Sequence, residues 1–225
     1  MTTLLTRRDP VDLFAPERRR APLAVAVVGG TALGIVDLLL QVALPYPWAN
    51  LANSSALWAL VAFGYGVWVG RPGGRVAVGG AVLLVTGVVA YYAAAALTRG
   101  DDWSNVWAPS SLAWALFGVL AGVTFALAGA VRGRGGWWAA VAAATAGAVC
   151  FAEFVADLLQ YDRYTGPAPT DLLATAVLVA AVGGAVLVAA ARDLTTTGRA
   201  MLVAVPLAAV GCAGFAAAGF AGFSA

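Results

Sequence analysis

The sequence contains no lysine and no histidine, and cysteine occurs only at Cys150 and Cys212. Without lysine the chain cannot hold retinal as a Schiff base. Without histidine it lacks the imidazole that serves as a haem ligand, a metal ligand or a general base. Both cysteines lie in apolar segments and form no CxxC motif, which favours a packing role. We therefore expect neither a metal site nor a cofactor.

Charged residues are scarce as well, at 11% of the chain against 62% hydrophobic residues. Several apolar runs reach the roughly 20 residues that a helix needs to cross a bilayer core. This composition predicts an all-α membrane protein whose partner is the lipid bilayer, and nothing points to nucleic acid. We expect a basic cytoplasmic segment, residues 1–20, and a single transmembrane domain, residues 21–225. The seven predicted transmembrane helices are residues 21–44, 54–70, 76–97, 110–131, 137–160, 171–191 and 201–223.

The distribution of arginine predicts the orientation of these helices, because short loops rich in positive residues stay in the cytoplasm. Only Arg99 and Arg163 fall on the side opposite to the other arginines. The N-terminus is therefore predicted inside and the C-terminus outside, in the cytoplasmic membrane. The first apolar run is too long for a cleavable signal peptide. The arginines on the predicted inner side are Arg7, Arg8, Arg18, Arg19, Arg20, Arg71, Arg75, Arg132, Arg134, Arg192 and Arg199.

Two parts of the sequence resemble each other. Residues 54–60, SSALWAL, align with residues 110–116, SSLAWAL, and residues 48–51, WANL, align with residues 103–106, WSNV. A fainter third copy is indicated by the similarity of residues 37–39 to residues 157–159. Such internal similarity is typical of repeated structural units. It predicts three helical hairpins, formed by helices 1 and 2, 3 and 4, and 5 and 6, with the seventh helix added.

Acidic residues inside the apolar segments are the strongest functional signal. Asp37 continues a stripe of Gly30 and Gly34 at helical spacing, and glycine stripes allow helices to pack closely, so this face is predicted to point into the bundle. Glu153 and Asp157 lie one turn apart, about 6 Å by helix rise. Two like charges this close in a low-dielectric medium favour keeping a proton on one of them. The alternative is that these carboxyls pair with Arg99 or Arg163, or hydrogen-bond across helices.

Aromatic and amide side chains occur near the same depth. Serines at a helix start cap it and tryptophans suit the membrane interface, so the repeated block also has a purely structural explanation. Trp58 and Trp114 could equally face inward. We predict a cavity in the outer half of the bundle. Its predicted substrate-binding residues are Trp58, Tyr65, Tyr92, Trp114, Asn50 and Asn53.

Two classes of function suit such a cavity. In an enzyme, an acid would protonate an alkene or epoxide of a prenyl substrate that enters from the lipid, and the aromatic rings would stabilise the carbocation. Glu153 and Asp157 would be the acid and its partner, and Asp37 a second acid. In a binding or transport protein, the same acids would bind a small polar or cationic solute or relay protons. A third class is an accessory membrane subunit without catalysis. The enzyme, a cyclase or isomerase working beside other pathway enzymes, is the leading expectation.

Two resemblances bear on these alternatives. The stretch from Pro45 to Gly66, with Trp48, Asn53 and Trp58, resembles an actinobacterial family of small polytopic membrane proteins of unassigned function. In length, helix count and intramembrane acids the chain is also similar to the integral-membrane terpene cyclases of meroterpenoid and indole-terpenoid pathways. The second resemblance implies cyclisation started by protonation, without a metal, by acidic residues within the bundle.

Overall fold

A computed structural model describes residues 22–161 and 169–220 of the chain. These residues are almost entirely helical and contain no strand. The predicted segment of residues 1–20, with its five arginines, lies outside the described residues, as does Arg163. The helices are α1 (Pro22–Ala43), α2 (Trp48–Ala52), α3 (Ser55–Val69), α4 (Gly74–Arg99), α5 (Pro109–Val131), α6 (Gly136–Gln160), α7 (Pro169–Ala191) and α8 (Leu194–Phe220), with 3-10 helices at Trp103–Trp107 and Arg132–Arg134.

Six of these helices are long and apolar enough to cross a membrane, and α3 is a shorter apolar helix of 15 residues. At 1.5 Å per residue, α3 spans about 22 Å, less than the roughly 30 Å of a bilayer core. The short helix α2 precedes it, separated by Asn53 and Ser54. The second predicted span, residues 54–70, is therefore α3 alone, and a separate short helix precedes it.

The last helix begins earlier than the hydropathy predicts. We expected it to begin at residue 201, whereas α8 begins at Leu194. Asp193 caps this polar first turn, because its carboxyl accepts hydrogen bonds from the Thr196 backbone N–H and hydroxyl, at 2.8 and 2.7 Å. These bonds hold the pKa of the Asp193 carboxyl below its usual value. A capping motif thus extends the helix beyond its apolar run.

The helices pack in an order that differs from their order in the chain. α1 packs along α4, α4 along α5, and α5 along α3, while α6 packs against both α7 and α8. Two of the three predicted hairpins, α4 with α5 and α6 with α7, are closely packed pairs. The first is not, because α1 makes few contacts with α3. The threefold repeat stays a prediction.

Small residues explain why these helices approach so closely. A Cβ atom added at Gly30 would overlap the carbonyl oxygen of Leu83, and one at Gly34 would overlap that of Gly87. Gly80 of α4 and Gly122 of α5 face each other in the same way. Helices in lipid associate through such backbone contacts. The predicted glycine stripe of α1 is therefore its packing face, and Asp37 is buried on that face.

The arginines between α5 and α6 and between α7 and α8 lie together at one end of the bundle. The Arg132 guanidinium donates hydrogen bonds to the carbonyl oxygens of Ala189 and Ala190, at the end of α7. Arg199 lies over the Trp137 ring at 5.3 Å, which joins the first turns of α8 and α6. We call this the arginine end. The other end, where α1 and α6 finish, is called the carboxylate end, after Asp37 and Asp157.

Candidate functional site

A cavity of about 460 Å³ lies toward the carboxylate end, between α1, α3, α4, α5, α6 and α8. The three predicted acids and four of the six predicted binding residues line it. Its volume is within the range of about 300–1,000 Å³ that is usual for small-molecule sites. The predicted residues in its lining are Asp37, Asn53, Trp58, Tyr92, Trp114, Glu153 and Asp157.

Asp37 is held by a chain of hydrogen bonds. The Gln41 amide nitrogen donates to Asp37 Oδ2 at 3.0 Å, and the Tyr91 hydroxyl donates to Gln41 Oε1 at 3.3 Å. The side chain is only 4% exposed, and Oδ1 has no hydrogen-bond partner among the described residues. Buried polar atoms are normally satisfied. The site therefore contains one carboxyl with a fixed orientation, contacted by the side chains of Gln41 and Trp58, and one buried oxygen without a hydrogen-bond partner.

The glycine contacts also position the tryptophan next to this acid. Trp58 of α3 lies over Gly87 of α4, where an added Cβ would come within 2.9 Å of the indole ring. Gly87 is also the residue on which Gly34 of α1 packs. The close packing of α1 and α4 therefore leaves room for the Trp58 ring and brings it beside Asp37.

Glu153 is bound to the start of α3. Its Oε2 accepts a hydrogen bond of 2.6 Å from the backbone N–H of Ala56, in the first turn of that helix. The Ser54 side chain contacts the same carboxyl and also caps α3 by accepting from the Leu57 N–H. A helix N-terminus carries partial positive charge and unpaired N–H groups, which suit a carboxylate. Glu153 thus stabilises the start of α3 through Oε2.

Asp157 lies one helical turn from Glu153 toward the carboxylate end and is half-buried. It makes no hydrogen bond to a described residue, and none of the three acids forms an ion pair with a described arginine. Arg99, one of the two arginines that we considered as partners, is exposed at the end of α4. The cavity wall, as far as the structure describes it, contains no arginine.

Aromatic side chains form much of the remaining wall. The Tyr91 and Tyr92 rings meet edge to face with centroids 5.3 Å apart, and Trp114 and Phe117 are 6.0 Å apart in a similar arrangement. Phe215 of α8 lines the cavity opposite α5. Trp114 keeps 36% of its surface exposed, and α5 and α8 do not pack along each other. Helix packing therefore does not close this side of the cavity.

Tyr65 and Asn50 do not line the cavity. The Tyr65 hydroxyl donates a hydrogen bond to the Pro22 carbonyl oxygen at 3.2 Å, near the start of α1. Tyr65 comes seven residues after Trp58, which places it about 10 Å further toward the arginine end by helix rise. Asn50 is on α2, away from the lining. Sequence reasoning assigned them by residue type and helical face, which do not give depth.

Several lining residues were not predicted as site residues. The sequence contained a pattern that could have identified Tyr91 and Gln160 as lining residues. Tyr91 adjoins Tyr92, and Gln160 continues the helical stripe of Glu153 and Asp157. Phe215 had none, because α8 carries no polar residue at the level of the cavity.

One serine in each copy of the repeated block makes a structural hydrogen bond, but the two serines are not at equivalent positions, since Ser54 aligns with Ser110 and Ser55 with Ser111. Ser54 caps α3, whereas in the second copy the Ser111 hydroxyl donates to the Asn105 carbonyl oxygen of the preceding 3-10 helix. The tryptophans of both copies, Trp58 and Trp114, line the cavity. The upstream blocks also correspond, because each forms a short helix, α2 and Trp103–Trp107.

Apolar helices of spanning length and close glycine packing are those of a multi-pass helical membrane protein, and a cavity lined by carboxyl and aromatic side chains lies within its bundle. Within this class, the chain belongs to a family described as "Family of unknown function (DUF6518)", whose model matches residues 15–219. Comparison with curated proteins and with solved structures gave no match.

Proposed function

We propose that the protein binds a small solute within the membrane and transports it, and that its site is the cavity at the carboxylate end. The observation that carries this proposal is that Asp37, Glu153 and Asp157 line one cavity whose described wall contains no arginine. Carboxyls inside a membrane are costly unless they meet a partner, a ligand or water. A polar solute that enters the cavity supplies such a partner.

The position at which α3 begins supports transport. The α3 helix begins inside the bundle, where Glu153 of α6 holds its first turn. Transporters typically form their sites from discontinuous helices whose ends meet the substrate. A shift of this first turn would change the Glu153 contact and the position of Trp58 together. By the positive-inside rule the arginine end faces the cytoplasm, so the cavity opens toward the outside of the cytoplasmic membrane.

The proposal is tested by binding to the purified protein in lipid nanodiscs. A panel of small cationic, neutral, zwitterionic and anionic solutes is screened by thermal shift and by quenching of tryptophan fluorescence. We expect at least one solute to bind, and the Asp157→Asn variant to bind it more weakly. The control is Asp101→Asn, which should bind it like the wild type, because Asp101 is exposed and lies outside the cavity. Ser55→Cys, on the lining, should react with a water-soluble maleimide. Lack of binding across the panel, together with an unreactive Cys at residue 55, would contradict the proposal.

The open side of the cavity favours a second function, the cyclisation or isomerisation of a prenyl substrate. A prenyl chain from the lipid can reach the wall formed by Trp114 and Phe215, because α5 and α8 are not packed together. A proton on Oδ1 of Asp37 would pass to the alkene or epoxide and leave the carboxylate. The carbocation would be stabilised by the Trp58 and Tyr92 rings until ring closure and loss of a carbon-bound proton to Asp157.

This second function changes the role of the acids. We expected Glu153 and Asp157 to be the acid and its partner, whereas Glu153 is bound to the start of α3, which leaves Asp37 as the acid with a fixed orientation and Asp157, without a hydrogen bond to a described residue, as its partner. Asp37→Asn should therefore reduce turnover by about 10²- to 10⁴-fold, the usual effect of removing a positioned acid. Farnesylated and geranylgeranylated aromatics and their epoxides are the substrates to offer, with mass spectrometry and chromatography as the assay. A cyclised isomer would establish the enzyme, whereas its absence together with solute binding would leave the transporter.

A further inference from the structure

The charge of the cavity restricts the ligand. Three carboxyls line it, and its described wall offers no guanidinium to balance them. When a neutral or anionic solute binds, any ionised carboxyl stays uncompensated in a low-dielectric site. A cation instead forms the missing ion pair, so it gains from each carboxylate near it. The cavity is therefore complementary to positive charge.

The surroundings of Asp37 distinguish an organic cation from a metal ion. A hard metal ion requires about six oxygen ligands at short distances. Asp37 cannot supply them, since Gln41 occupies Oδ2, the Trp58 side chain hydrogen-bonds the carboxyl, and Oδ1 is buried. Aromatic faces attract ammonium groups, particularly alkylated ones that cannot donate several hydrogen bonds. A volume of about 460 Å³ also exceeds by far what a bare ion fills.

We propose that the ligand is an alkylated organic ammonium ion, tertiary or quaternary, whose nitrogen lies in the cavity between the Asp37 and Asp157 carboxyls and the Trp58 and Tyr92 rings. Its organic substituents extend toward Trp114 and Phe117, and Asp157 is the second carboxylate that faces it. This proposal rests on the proposed function, because it names the substrate class of the same site. The arrangement needs no group beyond the side chains that line the cavity.

The test compares ligands of one shape and different charge. Choline and tetraethylammonium are titrated into the full-length protein in nanodiscs, by calorimetry and tryptophan fluorescence, beside 3,3-dimethyl-1-butanol, the neutral isostere of choline. We expect the quaternary ions to bind, and the neutral isostere to bind about 10- to 100-fold more weakly, as a charge-assisted contact implies. Asp37→Asn should lower the affinity for the cations by a similar factor and leave that for the neutral isostere unchanged. Asp101→Asn is the matched control and should bind like the wild type.

Variants of Trp58 keep the proposal testable if Asp37→Asn does not fold. Trp58→Phe keeps an aromatic face and should weaken cation binding less than Trp58→Leu, while both bind the neutral isostere alike. Equal affinity for charged and neutral ligands, or full affinity in Asp37→Asn, would overturn the ammonium proposal. Binding of an anionic or neutral solute in the same cavity would overturn it too, yet leave the proposed function in place. Only the absence of any bound solute, with an unreactive Cys at residue 55, would remove both.

Discussion

The replacement of Gly34 by alanine tests the packing that positions the site. A Cβ at Gly34 would overlap the carbonyl oxygen of Gly87 and lie 2.8 Å from the Tyr91 backbone nitrogen. Both neighbours are backbone atoms, so no side-chain rotation relieves the clash and α1 has to move away from α4. Overpacking of this kind costs about 1–3 kcal/mol. Alanine favours a helix over glycine by about 1 kcal/mol, which offsets part of that cost.

The matched control is Gly29→Ala in the same helix. There an added Cβ lies 3.9 Å from the nearest atom, the Leu83 Cδ1, which is ordinary contact. Unfolding of the purified protein in detergent, followed by tryptophan fluorescence during a denaturant titration, gives both free energies. We expect Gly34→Ala to lower the free energy of unfolding by up to about 2 kcal/mol relative to the wild type, and Gly29→Ala to leave it unchanged or raise it. Equal stability of the two variants would refute the close contact of α1 with α4.

Three further predictions concern orientation, the α3 cap and Tyr65. A reporter active only in the cytoplasm should work when fused after Arg134 and fail after Asp102, and the reverse result would invert the topology. Glu153→Ala should cost about 1–3 kcal/mol of unfolding free energy, since it leaves the buried Ala56 N–H unpaired, whereas Glu153→Gln keeps an acceptor and should cost less; equal losses in thermal unfolding would argue against the cap. Tyr65→Phe should lower stability by about 1 kcal/mol through loss of its bond to Pro22 and leave ligand affinity unchanged; weakened binding would mean that Tyr65 reaches the ligand.

The sequence was most informative where helical periodicity sets the answer. The spacing of Gly30, Gly34 and Asp37 gave the buried face of α1, because residues one turn apart share a face whatever they pack against. The apolar runs likewise gave seven helices close to those observed. The start of α8 was missed because capping by Asp193, and not hydropathy, determines it.

Contacts between segments that are distant in the chain were harder to predict from the sequence. Adjacency in the chain suggested that α1 pairs with α3, whereas the glycines of α1 fit those of α4, and a glycine pattern does not specify its partner. The spacing of Glu153 and Asp157 suggested Glu153 as the acid, but its hydrogen bond to Ala56 joins positions 97 residues apart and binds this carboxyl to the start of α3. Whether a carboxyl has a hydrogen-bond partner depends on residues that are distant in the chain. Helical periodicity does not identify those residues.

The bond between Glu153 and the first turn of α3 has a consequence for biogenesis. The Ala56 N–H emerges from the ribosome 97 residues before its acceptor. At about 5–20 residues per second, the interval is on the order of 5–20 s. Throughout it, the start of a 15-residue helix has an unpaired N–H that is costly in lipid. The contact that satisfies the start of α3 is therefore completed only after the synthesis of α6, and truncation before residue 153 should leave the first turn of α3 more accessible to water-soluble reagents than it is in the full-length chain.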